Sequence, residues 1–412
     1  MIVSSTAFLC GYFSADPAGT SPERWTPIPA LSGEATSFKN FYFPEFVDFF
    51  ARDVTAWRLD AGADVSIPAR DGTVTPFRID GIRLFRMPRE QVLFAVKLVF
   101  SKVDLNKLTY ALNVLRNSCF YDLAVVGEPF FSAAIAPLDE AYEALTCKKA
   151  PGGANHSHLV ENGNKFKIFH ILQTDRLPAD MDRRDQLLYA VGTLSPYSPD
   201  EPPSTDPRYF SRIMDASRIG VFSSWTALAL LDTLTFVSEP LPAYREAAWQ
   251  NEYFGMIYLY ELYRKCVLYH FNVLFREGKR DPSVLQKELD EFGRKYTFTA
   301  VSYNFLPVEI DRAVQKGLDM GTEDVQLSRF IDREVAARVE ESDNRRERFL
   351  LFLTLLASFS AIWDIVCLLD ELIDYDALYP TGHVGYRIFT AILFSVVAFV
   401  AWRTKRGSRN GR

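Results

Sequence analysis

The stretch Phe349–Leu369 reads FLLFLTLLASFSAIWDIVCLL, and Asp364 is its single charged residue. As a helix rising 1.5 Å per residue, it measures about 31 Å, which is enough to cross the hydrocarbon core of a bilayer. A second apolar run, Val384–Trp402, reads VGYRIFTAILFSVVAFVAW, and its Arg387 lies near one end, where a long side chain reaches the interface. The two runs predict a transmembrane hairpin over residues 349–402, followed by a basic tail over 403–412.

The charges around these runs predict the orientation of the hairpin. Basic residues flank its two outer ends: Arg345, Arg346, Arg348, Arg403, Lys405, Arg406, Arg409 and Arg412. The connecting loop is acidic instead, with Asp370, Glu371, Asp374 and Asp376, which we expect to attract cations. Because basic flanks stay in the cytoplasm, we expect a multi-pass protein of the cell inner membrane with both termini cytoplasmic.

Composition limits what the remaining chain can do. The 412 residues carry a net charge of −6, which gives no electrostatic reason to bind nucleic acid. The five cysteines show no CxxC pair, so no disulfide framework is predicted and a reducing compartment fits. The N-terminus, MIVSSTAFLCGYF, lacks a positive n-region, so we do not expect a cleaved signal peptide.

Residues 1–240 predict a cytoplasmic α+β domain. Short aromatic and β-branched runs are typical of strands: Ala7–Phe13, Pro76–Phe85, Val92–Phe100, Lys165–Leu172, Arg218–Phe222 and Thr233–Ser238. Helical patterns lie between them at Pro44–Arg52, Asp104–Asn117 and Leu138–Thr146. The apolar stretch Val221–Ser238 could be a third span, but it contains Asp232 and is rich in Thr and Val, which favours a buried strand or core helix.

Residues 241–348 predict a helical bundle and a stalk. Helix formers dominate Tyr244–Arg276 and Asp281–Lys295. From Thr322, an expected N-cap, to Leu369 the chain contains no Pro or Gly, so one helix of about 70 Å could run from cytosol through the bilayer. Its narrow apolar stripe among charged residues, at Leu327, Ile331, Val335 and Val339, indicates that it needs neighbours from this chain or from other subunits.

One face of the first span is small and polar. Steps of three or four residues give Thr354, Ala357, Ser360, Ala361, Asp364, Cys367 and Glu371, the predicted pore-lining residues. Small residues also serve close helix packing, and Asp364 could pair with Arg387. A carboxylate facing lipid costs several kcal/mol, so a water-filled path is the favoured interpretation, in which identical subunits repeat Asp364 as an acidic ring.

This order of elements resembles the CorA-type divalent-cation channel superfamily, most clearly from Thr322 to Arg412: a mixed cytoplasmic domain, a long helix entering the first pass, a short outer loop, a second pass and a basic tail. The resemblance implies a homopentamer in membrane lipid whose first pass lines the pore. It also implies divalent cations as permeant or regulatory ions, with no covalent cofactor.

The Gly-Met-Asn motif of that superfamily is missing. In its place stands Cys367-Leu368-Leu369-Asp370-Glu371-Leu372, so magnesium selectivity does not carry over. Relatives without the motif include membrane effectors of prokaryotic antiviral defence, in which a cytoplasmic domain that senses a ligand or partner protein gates the membrane part.

Other chemistry has little support in the sequence. No P-loop, GxGxxG, HExxH or GxSxG pattern occurs, and no enzyme is predicted. The pair His156 and His158 lies in a Gly- and Asn-rich loop, which we interpret as solvated rather than metal-binding; the metal ligands are unknown. The main hypothesis is an oligomeric cation channel gated by its cytoplasmic domain, and the alternative is a membrane-anchored sensor or binding module without a pore.

Overall fold

The computed structural model describes residues 2–31, 40–69, 72–118, 126–151, 155–161, 165–201, 203–278 and 280–372. The chain forms two compact units, Met1–Ile331 and Asp332–Arg412. The second predicted span, Val384–Trp402, lies outside the described residues, as does the basic tail. The predicted four-part division of the chain therefore stays a prediction.

A mixed sheet forms the centre of the first unit. Its strands are β1 (Ile2–Ser14), β2 (Thr26–Ile28), β3 (Thr55–Leu59), β4 (Ala63–Pro68), β5 (Val74–Met87), β6 (Gln91–Asp104), β7 (Lys167–Thr174), β8 (Arg218–Phe222), β9 (Trp225–Ala229) and β10 (Thr233–Ser238). They lie in the order β2-β3-β5-β6-β1-β7-β10-β9-β8, with β4 paired to β5. Strand β10 pairs with β7 in parallel, whereas β1 pairs with β6 and β7 antiparallel. The strands predicted from the aromatic and β-branched runs are confirmed.

The apolar stretch Val221–Ser238 forms strands and no membrane span. Every residue of β9 and of β10 is buried. Asp232, the charge that argued against a span, lies between these strands and pairs with Lys167 at 2.6 Å. A strand that is covered on both faces is apolar at successive positions, which explains why this stretch resembled a span.

Helices cover the sheet and extend beyond it. They are α1 (Pro44–Asp48), α2 (Leu105–Arg116), α3 (Glu128–Phe130), α4 (Ala136–Thr146), α5 (Met181–Thr193), α6 (Pro207–Ser217), α7 (Ala243–Ala248), α8 (Leu259–Glu277), α9 (Pro282–Tyr296), α10 (Phe305–Gly317) and α11 (Met320–Leu372). π-helical turns at Phe49–Asp53, Phe131–Ile135 and Trp249–Tyr258 directly follow α1, α3 and α7.

Four of these helices have an aspartate as N-cap. Asp104, Asp180, Asp206 and Asp281 are the N-caps of α2, α5, α6 and α9, and each carboxylate accepts hydrogen bonds from backbone N–H groups of the first turn. Helices α5 and α6 were not predicted, although Asp206 followed by Pro207 is a helix-start signal. That signal stood at the end of a segment rich in Pro and Ser.

Side chains of β1 alternate between two apolar layers. Leu9 and Phe13 belong to the large core on one face of the sheet. Phe8 points to the opposite face and stacks on Phe254 with ring centroids 3.9 Å apart. The continuous helical segment from α7 to α8 therefore covers the face opposite the large core.

Gly11 provides a test of this packing. A Cβ at Gly11 would lie 2.4 Å from the Leu159 carbonyl oxygen and 2.4 Å from the Phe94 ring, whereas a Cβ at Gly293 in α9 would meet nothing within 4 Å. We expect Gly11→Ala to lower the free energy of unfolding by about 1–3 kcal/mol through overpacking. Gly293→Ala, the matched control, should raise it by about 0.5–1 kcal/mol. Urea unfolding of the detergent-solubilised protein, followed by tryptophan fluorescence, measures both; equal values would contradict the close approach at Gly11.

Helix α11 confirms the predicted long helix, but the expected N-cap is wrong, because the helix begins at Met320 and Thr322 lies inside its first turn. It runs without a break for 53 residues, from Met320 to Leu372. Leu327 and Ile331 of the predicted stripe are buried in the first unit, whereas Val339 is 54% exposed. The chain thus combines a mixed sheet domain with one long C-terminal helix, and α10 is a separate helix before it.

Candidate functional site

The apolar part of α11 leaves its large side chains uncovered. Between Phe349 and Leu368 these include Phe352, 58% exposed, and Leu356, 51% exposed. Within the described residues, α11 is the helix that is long and apolar enough to cross a membrane. Exposed apolar surface of this extent marks contact with a membrane or with other chains.

The predicted pore residues of α11 share one face. At about 100° per residue, Thr354, Ala357, Ser360, Ala361 and Asp364 fall within an arc of about 120°. All five are exposed in the single chain. The Thr354 hydroxyl donates a hydrogen bond to the Leu350 carbonyl oxygen at 2.8 Å, which satisfies it within the helix. Asp364 thus differs from its neighbours as an exposed carboxylate within an apolar segment.

Other predicted acidic and pore residues lie at the edge of the described chain. The backbone of α11 includes Cys367, Asp370 and Glu371. Their side chains are not among those that the structure describes. Asp374 and Asp376 of the predicted outer loop lie outside the described residues, as does Arg387. The proposed roles of these residues, and the alternative Asp364–Arg387 pair, therefore stay predictions.

The first turns of α11 are attached to α8 within the first unit. The Lys265 ammonium lies 2.7 Å from a Glu323 carboxylate oxygen and donates a hydrogen bond to the Leu318 carbonyl oxygen at 2.6 Å. The Lys265 side chain is 14% exposed. Together with buried Met320 and Ile331, this contact holds the start of α11 against the sheet domain.

A buried acidic pair lies between α8 and α10. Glu261 is 0% exposed and Asp311 is 5% exposed. Arg264 donates hydrogen bonds to both Glu261 carboxylate oxygens, at 3.0 and 3.1 Å. The Gln315 side-chain amide donates to Glu261 at 3.3 Å and to Asp311 at 2.9 Å. One guanidinium therefore faces two carboxyl groups in the interior of the bundle.

The proton affinity of this pair follows from its burial. Loss of solvent raises the pKa of Glu261 well above its ordinary value, although the Arg264 charge opposes the rise. Burial also raises the pKa of Asp311 to about 6, against hydrogen bonding to Glu261 and the Arg264 charge. The pair therefore retains protons at a pH where an exposed carboxyl is ionised.

Two histidines and an aspartate meet beside α4. The Asp139 carboxylate lies 2.8 Å from His158 Nε2 and 3.4 Å from His156 Nδ1. Burial raises the pKa of Asp139, but hydrogen bonds and charge from the two histidines outweigh it, so the pKa is lowered. The two histidine side chains are only 8% and 6% exposed, which contradicts the expectation of a solvated loop.

A cleft opens where the N-terminal ends of α2 and α5 approach each other. Its volume is about 580 Å³, and its polar lining includes Asp104, Asn106, Arg176, Arg183 and Tyr197. The Asn106 side-chain oxygen accepts a hydrogen bond from the Tyr197 N–H at 2.7 Å, which joins the Pro-rich segment after α5 to α2. The lining of this cleft therefore combines two basic side chains with one acidic side chain.

Sequence reasoning missed both buried clusters. The spacing of Glu261 and Arg264 on one helix and the His156-Ser157-His158 motif were visible signals. Their partners Asp311 and Asp139 lie on separate helices, and nothing in the local pattern pointed to them. No family model matches the chain, and no curated protein matches it.

Proposed function

We propose that the chain is a homo-oligomeric, CorA-like membrane channel for cations, gated by its cytoplasmic domain. The observation that carries the proposal is an exposed Asp364 on the small, polar face of a helix long and apolar enough to span a membrane. The alternative is a membrane anchor for a sensor domain. The two proposals differ in what surrounds Asp364.

The cost of burying a charge supports the channel. An aspartate near the centre of a bilayer costs about 2.5–3.5 kcal/mol by insertion scales, so it faces a partner or water rather than lipid. Identical chains that turn this face inward repeat Asp364 as a ring. An acidic ring in a narrow passage attracts cations and repels anions.

The exposed stalk supports assembly. Residues 332–350 of α11 are exposed or half-buried in the single chain, although Val335 and Val339 continue its apolar stripe. A charged helix with one narrow stripe is not stable by itself in water. Packing these stripes between sister copies covers them, and the basic segment before Phe349 then lies at the cytoplasmic surface of the membrane.

Mass and conductance together test the proposal. The full chain, solubilised in detergent, should have the mass of five chains of 46.9 kDa, about 235 kDa, by light scattering or native mass spectrometry. In liposomes it should carry cations and exclude anions. A monomer or dimer that conducts no ion in liposomes would leave only the membrane anchor.

Gating by the cytoplasmic domain requires a firm attachment of α11, which Lys265 provides. We expect Lys265→Met to loosen the first turns of α11, because a hydrogen bond to a charged group contributes about 1.5–3 kcal/mol. Amide hydrogen exchange over 320–331 should accelerate roughly 10- to 100-fold. The exposed Lys287 of α9 gives the matched control, Lys287→Met, which should leave exchange unchanged. Equal exchange in both variants would show that Lys265 does not hold this helix.

A further inference from the structure

The Asp139 cluster has the composition of a metal site. Two imidazoles and one carboxylate each offer one ligand atom, and all three atoms lie within 4.8 Å of one another. Zinc binds nitrogen and oxygen ligands at about 2.0–2.2 Å, so neighbouring ligand atoms of a tetrahedral site lie about 3.3–3.5 Å apart. His156 Nδ1 already has that spacing, 3.4 Å from one Asp139 oxygen. His158 Nε2 lies 2.8 Å from the other oxygen, at hydrogen-bond distance, and would move apart by about half an ångström to share an ion with it.

An unpartnered nitrogen points into the cluster. His156 Nδ1 lies 3.4 Å from the Asp139 carboxylate. Apart from this long contact with Asp139, the buried atom has no hydrogen-bond partner among the residues that the structure describes. A buried polar atom without a partner costs about 1–3 kcal/mol. A bound cation would accept the lone pair of this nitrogen and remove that cost.

The local fold holds the three ligands in place. Asp139 lies in the first turn of α4, after Pro137. His156 precedes a short 3₁₀ turn, Ser157–Leu159, and His158 lies within it. The Asn155 side chain accepts a hydrogen bond from the Ser157 N–H at 2.9 Å. The rings of Phe131 and Tyr142 lie 5.2 Å from His156 and 4.7 Å from His158, so apolar walls exclude water from two sides.

We propose that Asp139, His156 and His158 form a binding site for one divalent transition-metal ion of the zinc class, which fastens the histidine loop to α4. Imidazole ligands favour zinc and its neighbours over magnesium, which prefers a shell of oxygen ligands. The remaining coordination position is taken by water or by another donor of the loop. This site is separate from the conduction path, so it stands whether or not the chain is a channel.

Zinc binding to the full chain tests the site. The protein is purified in detergent without a histidine tag, stripped with a chelator and titrated with Zn²⁺ against a competing metal indicator. We expect one zinc per chain by elemental analysis and no displacement by excess Mg²⁺. His156→Gln and Asp139→Asn should each weaken binding at least about 100-fold, since even loss of an outer partner costs 10–100-fold.

His270→Gln is the matched control, because His270 is a half-buried histidine on α8 outside the cluster. It should retain full zinc affinity. Zinc should also raise the melting temperature of the wild type and of His270→Gln, but not that of His156→Gln, a readout that separates lost binding from misfolding. Absence of stoichiometric zinc in the wild type, or unchanged affinity in both cluster variants, would overturn the site.

Discussion

Replacing Asp364 by asparagine is expected to lower cation flux through the reconstituted protein at least about tenfold and to weaken its preference for cations over anions. A cation about 4 Å from a carboxylate gains roughly 4 kcal/mol at an effective dielectric constant of about 20. If the loss of this attraction raises the barrier to permeation by only about 1.4 kcal/mol, the rate falls tenfold. The expected effect is therefore large even if water screens most of the charge.

Two control variants separate charge from packing. Asp364→Glu keeps the carboxylate and should retain most of the flux. Ser358→Ala changes a small polar side chain that lies about 120° around α11 from Asp364. The Ser358 hydroxyl donates to the Thr354 carbonyl oxygen at 2.7 Å. This variant should leave flux and selectivity unchanged. Equal cation flux in Asp364→Asn and the wild type, measured in liposomes at matched protein content, would count against an acidic path.

Replacing Arg264 by methionine is expected to destabilise the sheet domain by about 3–5 kcal/mol near pH 7.5, because it leaves buried carboxyl groups without their cation. Methionine retains much of the apolar stem, so the loss reports the charge rather than a cavity. Urea unfolding followed by tryptophan fluorescence gives the free energy. The exposed Arg312 on α10 supplies the control, Arg312→Met, for which we expect a change below about 0.5 kcal/mol.

The free energy of unfolding that Arg264→Met loses relative to the wild type should be larger at high pH than at low pH. The ordinary pKa values of the two acids are 4.5 and 3.8, and burial raises both in the folded state. Folded protein therefore binds more protons than unfolded protein above about pH 4, so stability falls as pH rises. The Arg264 charge opposes the rise in both pKa values, so without it the folded protein holds the extra protons up to a higher pH.

The stability difference between the wild type and Arg264→Met should therefore shrink on acidification. It should fall by about 1.4 kcal/mol per pH unit for each proton that the folded variant holds in excess of the folded wild type. Buried His170, whose pKa is lowered by burial to about 3, contributes the opposite slope. It does so equally in the variant and the wild type, so their difference cancels it.

A double variant identifies the charge responsible. Arg264→Met combined with Glu261→Gln removes one buried charge together with its cation and should recover at least about half of the lost stability. A deficit that stays the same from pH 5 to pH 8 and in the double variant would show that Arg264 acts by packing alone, for example over the Tyr260 ring, 5.6 Å away.

Elements that depend on local pattern were predictable. Strands β1, β5, β6, β7, β8 and β10 and the long helix α11 follow from apolar periodicity and from the absence of Pro and Gly between Thr322 and Leu369. The polar face with Asp364 follows from helical geometry alone. These features are determined by residues a few positions apart, so they are present in the sequence before the chain folds.

The buried clusters were decided only by tertiary structure. Asp139 meets His156 and His158 because the loop after α4 folds back on that helix, and Glu261 meets Asp311 because α8 and α10 pack together. Such contacts join residues that are distant in the chain, and no local period reports which will meet. The sequence by itself determined the longer strands, the long helix and the candidate span, whereas β3, β4, α5 and α6 were recognised only in the folded chain. Packing of these segments decided which charged groups lose water and so acquire partners, altered pKa values and a candidate metal site.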